Sequence, residues 1–406
     1  MSDDPPVQRI APPAMLAGGA PAAVLAALPG ARAVGGAVRD TLAGLAVHDV
    51  DIAAPLPPDA IAGLLRAAGL KVFETGLAHG TVTAVLDHQP VEVTSLRRDL
   101  VTDGRHAEVE WTTDWRADAA RRDFTINAMS LSADGDLWDY FGGRADLRAG
   151  LVQFVGDPAI RLQEDFLRAL RFFRFQARYG RGEPDAAAVA AIRAAVPGLA
   201  RLSAERVWME LKRLLAAPDP VAAVALMAET GVLGAVLPEG AELPALARLI
   251  ARDAPADPLL RLAALLPQGA KHRGLAQRLR LSGEEADRLA WLAEPASLPP
   301  LDAGDDGLRV WRAMGRFPDP PEALGPFWVA EARDGQDRST LRARITGAAP
   351  RFPLAGRDAL ALGIAPGPAV GGLLRRARDW WLAGGCVADR EACLARLREL
   401  AAPPPI

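Results

Sequence analysis

Asp49 and Asp51 stand two residues apart at the end of residues 35–52, GGAVRDTLAGLAVHDVDI. In an extended strand alternate side chains share a face, so this spacing turns both carboxylates to one side and Val50 and Ile52 toward the core. Two adjacent carboxylates repel unless a cation holds them, and a hard divalent ion such as Mg2+ suits oxygen ligands of this kind. At the other end of the segment, Gly35-Gly36 follows the short, mostly apolar run 31–34, ARAV, and opens a stretch of helical character with Arg39 one turn in. Glycine lets backbone N–H groups approach a phosphate closely at a helix start, where partial positive charge favours anions. Taken singly, an Asp-x-Asp is usually solvated surface and a Gly pair usually only a turn. Their conjunction in one strand, turn, helix, strand unit points to nucleotide chemistry.

The elements around this unit must position it. Residues 13–29 read as an Ala/Leu-rich helix, 58–68 as another helix and 71–75 as a short strand. Residues 80–86, GTVTAVL, alternate with period two and are separated by Asp-His-Gln-Pro from residues 91–96, VEVTSL, which is a β-hairpin signal. Val91 and Val93 share one face, leaving Glu92 and Thr94 on the other. Glu92 completes a three-carboxylate metal site if its strand lies beside Asp51, and is a solvated edge residue if it does not. Residues 98–113 are polar and rich in turn formers, which predicts a mobile loop near the site. Residues 160–178, IRLQEDFLRALRFFRFQAR, place Leu162, Phe166, Leu170 and Phe173 at helical spacing, which predicts one amphipathic helix. On another sector Asp165, Arg168, Arg171 and Arg174 recur every third position. Each such step drifts about 60° backwards, so Asp165 and Arg168 are neighbours while Arg174 lies half a turn round. The pattern fits a salt-bridge ladder as well as a ligand face.

Composition bounds the class. A chain of 406 residues implies two to four domains, and with half of its residues hydrophobic it has ample material for a core. The net charge of −3 gives no hint of a nucleic-acid partner. Only Lys71, Lys212 and Lys271 are lysines; the other cations are arginines. With only Cys386 and Cys393 present, neither a disulfide framework nor a cysteine zinc site is expected. His48-Asp49 is the only His-Asp dipeptide, which argues against an appended metal phosphohydrolase. The first residues, MSDDPPVQRI, lack a basic and an apolar signal region, and no apolar run reaches membrane-spanning length, so a cytoplasmic protein is expected. Beyond Gly180 the chain reads as helical throughout, broken by Pro-rich turns.

The segment GGAVRDTLAG…DVD resembles the GGxVRDxLLG…DxD signature of the DNA polymerase β nucleotidyltransferase superfamily, in its class II branch of tRNA CCA-adding enzymes and bacterial poly(A) polymerases. TGLAHGTVTAV and EVTSLR are similar to CCA-adding sequences, RRDFTINAM to the family's second motif, and EDFLRALRFFRF to its EDxxRxxRxxRF motif. The likeness weakens after about residue 240, except around residues 356–375, GRDALALGIAPGPAVGGLL. It implies an α+β chain: a head (1–150) with a small mixed sheet flanked by helices, then an all-α neck (151–205), body (206–330) and tail (331–406). It further implies a metal-dependent RNA nucleotidyltransferase adding C, C and A to tRNA from CTP and ATP, with poly(A) polymerase as the alternative. Asp49, Asp51 and Glu92 would be catalytic, with Mg2+ on Asp49 and Asp51. Gly36 and Arg39 would hold the triphosphate, Arg122 the sugar and phosphates with Asp123 and Asn127 beside it. Asp165 and Arg168 would read the incoming base, with Arg171 and Arg174 in the same nucleotide site. The implied partners are tRNA and the two nucleotides; no protein partner is evident.

Overall fold

A computed structural model describes residues 4–47, 49–76, 80–102, 107–293 and 298–402. The chain divides into two compact units, residues 1–238 and 239–406.

The first unit is built on a mixed sheet. Its elements begin with β1 (Gln8–Arg9), α1 (Gly19–Ala27), β2 (Arg32–Val34), α2 (Gly36–Leu42) and β3 (Asp51–Ala54). There follow α3 (Pro58–Ala67), β4 (Lys71–Gly76), β5 (Thr81–Leu86), β6 (Gln89–Ser95), β7 (Arg97–Thr102) and β8 (Ala107–Trp111). After α4 (Trp115–Ala120) come β9 (Met129–Leu131) and β10 (Asp136–Asp139). Eight strands lie in the order β1-β10-β9-β2-β3-β6-β5-β4. All neighbours are antiparallel except β3 and β6, which run parallel. That exception is permitted by the crossover through α3, β4 and β5, because parallel neighbours need a long connection. Pro58 opens α3, where its missing N–H costs nothing, and Ile61, Ala62 and Leu65 form its buried face. The β5–β6 turn is tighter than the four residues expected: Asp87 and His88 alone make it, both with positive φ, as a two-residue hairpin turn requires.

Residues 98–113 are not the loop their polarity predicts. Strands β7 and β8 form a separate antiparallel ribbon, with Arg97 opposite Trp111 and Arg98 opposite Glu110; residues 103–106 lie outside the described set. A stretch this polar carries little of the apolar alternation that marks a strand. Its foot is fixed by Trp111, whose ring lies so close to Gly80 that a Cβ there would come within 2.3 Å of it. Gly80 has φ +76°, so glycine is required on both counts.

The remaining elements of this unit are helical: α5 (Gly143–Ala149), α6 (Pro158–Glu164), α7 (Leu167–Tyr179), α8 (Ala186–Ala195), α9 (Ala204–Leu215), α10 (Val221–Glu229) and α11 (Val232–Val236). The single helix predicted over 160–178 is therefore two. The chain leaves helical geometry at Asp165, with φ −156° and ψ 107°, and the Asp165 carboxylate accepts a 3.0 Å hydrogen bond from the Leu167 N–H as α7 begins. Aspartate competes well for backbone N–H groups in this way, a local preference that apolar spacing alone conceals. Helix α7 is fastened to the sheet-bearing part of the unit by aromatic rings. Phe124 lies 4.7 Å from Phe154 and 5.2 Å from Phe175, and Phe154 stacks on Phe172 at 6.2 Å.

The second unit is helical, from Leu243–Ala251 to Arg390–Ala401. Separate cores form around Phe327 and Leu341, and around Leu373, Trp381 and Leu397. Glu331, fully buried, is paired with Arg342, which also lies over the Trp328 ring. Among the described residues no helix is long and apolar enough to cross a membrane.

Because Phe172 is fully buried against three other rings, Phe172→Ala is expected to cost about 3–5 kcal/mol. Urea unfolding followed by circular dichroism measures it; a cost below about 1 kcal/mol would mean that α7 is held by something else.

Candidate nucleotide site

Strand β3 proper begins at Asp51; Asp49 and Val50 precede it without ladder partners. Asp49 and Asp51 are exposed while Ile52 is buried, so the two carboxylates do lie on the open side of the strand. The parallel register sets Asp51 opposite Glu92 and Ile52 opposite Val93. Val91 and Val93 are buried and Glu92 exposed, so Glu92 stands on the same face as Asp51.

Electrostatics records the crowding. The Asp51 carboxyl is raised above its ordinary value, first because the surrounding protein strips part of its hydration, then through the charges of Glu92 and Asp49; only Arg122 opposes them. Among the described residues no three His, Cys, Asp or Glu side chains already converge as a metal cluster. The donors are nevertheless hard oxygens whose mutual repulsion a divalent cation would relieve, so their chemistry fits Mg2+.

Beside the carboxylates opens a pocket of about 590 Å³. Gly35, Gly36 and Arg39 line it from the β2–α2 turn, Arg122, Asp123 and Asn127 from the segment after α4, and Asp51 from β3. Asp165, Arg168, Arg171 and Arg174 line it from the start of α7 and beyond. All nine residues expected at a nucleotide thus share one cavity, whereas Asp49 and Glu92 lie outside its wall. Gly35 takes φ +65°, and a Cβ on it would sit 3.4 Å from the Arg122 guanidinium. Helix α2 is only seven residues long, so the turn contributes a few N–H groups and not a long dipole.

Each arginine is braced by an acid. Arg121 and Arg122 share Asp118, which is only 2% exposed, at 2.7 and 3.1 Å. Both guanidinium groups hold its carboxyl below the usual range against the opposing effect of burial, which is the larger single influence. Asp123 accepts from Asn127 Nδ2 and from its neighbour's N–H at 2.9 Å, and pairs with Arg171 at 2.5 Å. Arg174 Nε lies 2.8 Å from Glu210, itself only 3% exposed; burial lowers the Arg174 guanidinium to about 10, and Glu210 resists that shift.

The helical break changes the expected ladder. Asp165 does not face Arg168 as an i,i+3 helical neighbour; it pairs with Arg206 of α9 at 2.6 Å, and Arg168 pairs with Glu164. Sequence reasoning passed over Arg206, Glu210 and Arg213. Their spacing of four and three in AERVWMELKRLL marks one charged helix face, and that face meets α7.

Asp51 yields a pH-linked expectation. A carboxyl raised in the folded state costs stability once the pH passes its unfolded value of about 3.9, and in full above its folded value. Asp51→Asn is therefore expected to raise Tm at pH 7 in EDTA and to reduce the further gain from Mg2+. Thermal unfolding with and without Mg2+ checks this, and a lower Tm for the variant in EDTA would contradict it.

Comparison with known proteins agrees with this geometry. Residues 31–153 match the profile of the "Poly A polymerase head domain", and residues 183–243 that of the "Probable RNA and SrmB- binding site of polymerase A". The chain is 37% identical over 378 residues to CCA tRNA nucleotidyltransferase 1, mitochondrial, of Danio rerio, covering 91% of this chain and 87% of that protein. The CCA-adding enzyme of Bacillus pumilus is 39% identical over 184 residues, 45% of each chain. Among solved structures, the Bacillus stearothermophilus CCA-adding enzyme in complex with CTP superposes with a TM-score of 0.69 at 27% identity, over 91% of this chain and 92% of that one. Likeness at that identity over nearly the whole of both chains leaves one assignment: the protein belongs to the family of CCA tRNA nucleotidyltransferases and bacterial poly(A) polymerases.

Proposed function

We propose that this chain is a nucleotidyltransferase that adds C, C and A to the 3′ ends of tRNA from CTP and ATP, releasing pyrophosphate. The observation that carries the reading is the 37% identity to a CCA tRNA nucleotidyltransferase across 91% of this chain. The terminal 3′-hydroxyl of tRNA attacks the α-phosphorus in line. Asp49 and Asp51 would hold Mg2+, with Glu92 beside them. The bound ion supplies positive charge for the attacking oxygen and the departing pyrophosphate. Gly36 and Arg39 take the triphosphate, Arg122 the sugar and phosphates, with Asp123 and Asn127 fixing the arginines around them. Arg171 and Arg174 complete the cationic wall. The finer division into head (1–150), neck (151–205), body (206–330) and tail (331–406) belongs to this reading, with body and tail holding RNA. So does the cytoplasm as its compartment.

Base choice follows from hydrogen-bond polarity. Asp165 offers only acceptors and Arg168 only donors. Cytosine presents an amino donor beside the N3 acceptor, adenine an amino donor beside the N1 acceptor, and both match one Asp-Arg pair in one orientation. Uracil and guanine present the reverse. Each unpaired buried group costs about 1–3 kcal/mol, so two mismatches exclude the wrong base by a few orders of magnitude. Asp165 is engaged by Arg206 and Arg168 by Glu164, so a bound base shares or displaces those partners.

Poly(A) polymerase remains the second reading, favoured by the head-domain match. A tRNA lacking its 3′ end, offered CTP alone, ATP alone and both, separates the two by product length. Three added residues requiring both nucleotides are expected; long tails from ATP alone on any RNA would select the alternative. Asp49→Ala and Asp51→Ala are each expected to lower transfer by about a thousandfold or more while tRNA binding by filter assay persists. Near-normal turnover of the Asp51 variant in Mg2+ would remove the metal assignment.

A further inference from the structure

Arg39 is held in the pocket by three hydrogen bonds, and the residue that completes its fixation lies far away in the chain. Its Nε and Nη2 donate to the two carboxylate oxygens of Asp40 at 3.0 and 3.1 Å, and its Nη1 donates to Asn127 Oδ1 at 2.6 Å. A guanidinium has five N–H groups, so two remain uncommitted. The fork to Asp40 is closed from behind by Tyr179, whose hydroxyl donates to Asp40 Oδ1 at 2.5 Å across 139 positions. The Tyr179 ring also lies under the guanidinium, 4.5 Å from centroid to carbon, with Phe175 at 5.1 Å. Tyr179 is the last residue of α7, and Arg39 and Asp40 sit in α2.

We propose that Tyr179 is a positioning residue for nucleotide binding: through Asp40 it holds the Arg39 guanidinium so that its two remaining N–H groups face the triphosphate. The inference rests on the reading of Arg39 given above. A phenylalanine would supply the same ring packing, so packing does not account for the hydroxyl. Tyr179 is buried as a whole and its hydroxyl spends its one donor on Asp40, and a polar group so placed acts through its partner. Burial, with the bond to Asp40, holds the phenol above its ordinary range against the pull of Arg39, so it remains a donor throughout the physiological range. The bond also joins α2, which carries the phosphate-binding turn, to α7, which carries the arginines assigned to the base. Tyr179 therefore sets the spacing between the two ends of the nucleotide site, for CTP and ATP alike.

Tyr179→Phe keeps the ring and removes only the hydroxyl. It is expected to raise KM for both CTP and ATP, and the inhibition constant of inorganic pyrophosphate, by about three- to tenfold. Turnover should stay within about twofold and the exclusion of UTP and GTP should be unaltered, because the loss concerns phosphate binding alone. Asp40→Asn should give the same pattern from the other side of the link. Arg39→Ala should exceed both, and adding Tyr179→Phe to it should cost nothing more, since a positioning residue has nothing left to position. Wild-type KM and pyrophosphate inhibition in both Tyr179→Phe and Asp40→Asn would overturn the proposal. So would a fall in turnover that merely tracks a lowered Tm. If Arg39→Ala itself leaves pyrophosphate inhibition unchanged, the assignment of Arg39 fails and takes the proposal with it. If Arg39→Ala weakens it while Tyr179→Phe does not, only the positioning role fails.

Discussion

Parallel pairing of β3 with β6 forces Asp51 against Glu92, and much of the first unit answers that constraint. The two carboxylates would separate if they could. They are held by ladder hydrogen bonds and by Ile52 and Val93, buried directly behind them. The repulsion is therefore borne by the sheet, and it persists as an unmet demand for positive charge on one side of the strand. Arg122 answers in part, being the one cation that draws the Asp51 carboxyl back toward its ordinary value. The rest is left for a ligand, which is the usual condition of a site organised before its substrate arrives.

The cationic side of the pocket follows the opposite logic. Seven arginines line it, yet those whose geometry matters each rest on an acid: Arg39 on Asp40, Arg122 on Asp118, Arg171 on Asp123, Arg174 on Glu210 and Arg206 on Asp165. Charge is not maximised by this arrangement, since each acid cancels part of what its arginine brings. Orientation is gained instead. A planar guanidinium pinned along one edge presents the other edge in a fixed direction, which lysine, with its rotating ammonium, does not do. None of the chain's three lysines lines the pocket.

How far the sequence disclosed this can be followed residue by residue. The period-two alternation around Glu92 was legible because Val91 and Val93 are buried on one face only, and the mixed head followed by helices was legible from the order of elements. The β7–β8 ribbon was not, because its stretch of sequence is polar and apolar alternation had little to record. The interruption at Asp165 was hidden for a different reason: apolar spacing continues through it in phase, while the break is made by a side chain bonding to the backbone two residues on. The second wall of the pocket, on α9, required knowing which helix faces α7. Pairings of that kind, between residues some forty positions apart, leave no periodic trace in a single chain.

Asp165 carries a last consequence for how this pocket can diverge. Its backbone ends α6, its carboxylate seeds α7, and its other oxygen reaches α9. A residue with three structural duties is pleiotropic: replacing it would re-phase every arginine that follows on α7 before any new base preference could be sampled. Arg206 carries no such burden of chain geometry, whereas Arg168 also donates to the backbone carbonyls of Arg161 and Arg121. Drift toward other nucleotides in descendants of this chain therefore has a more open road through Arg206 and a closed one through Asp165.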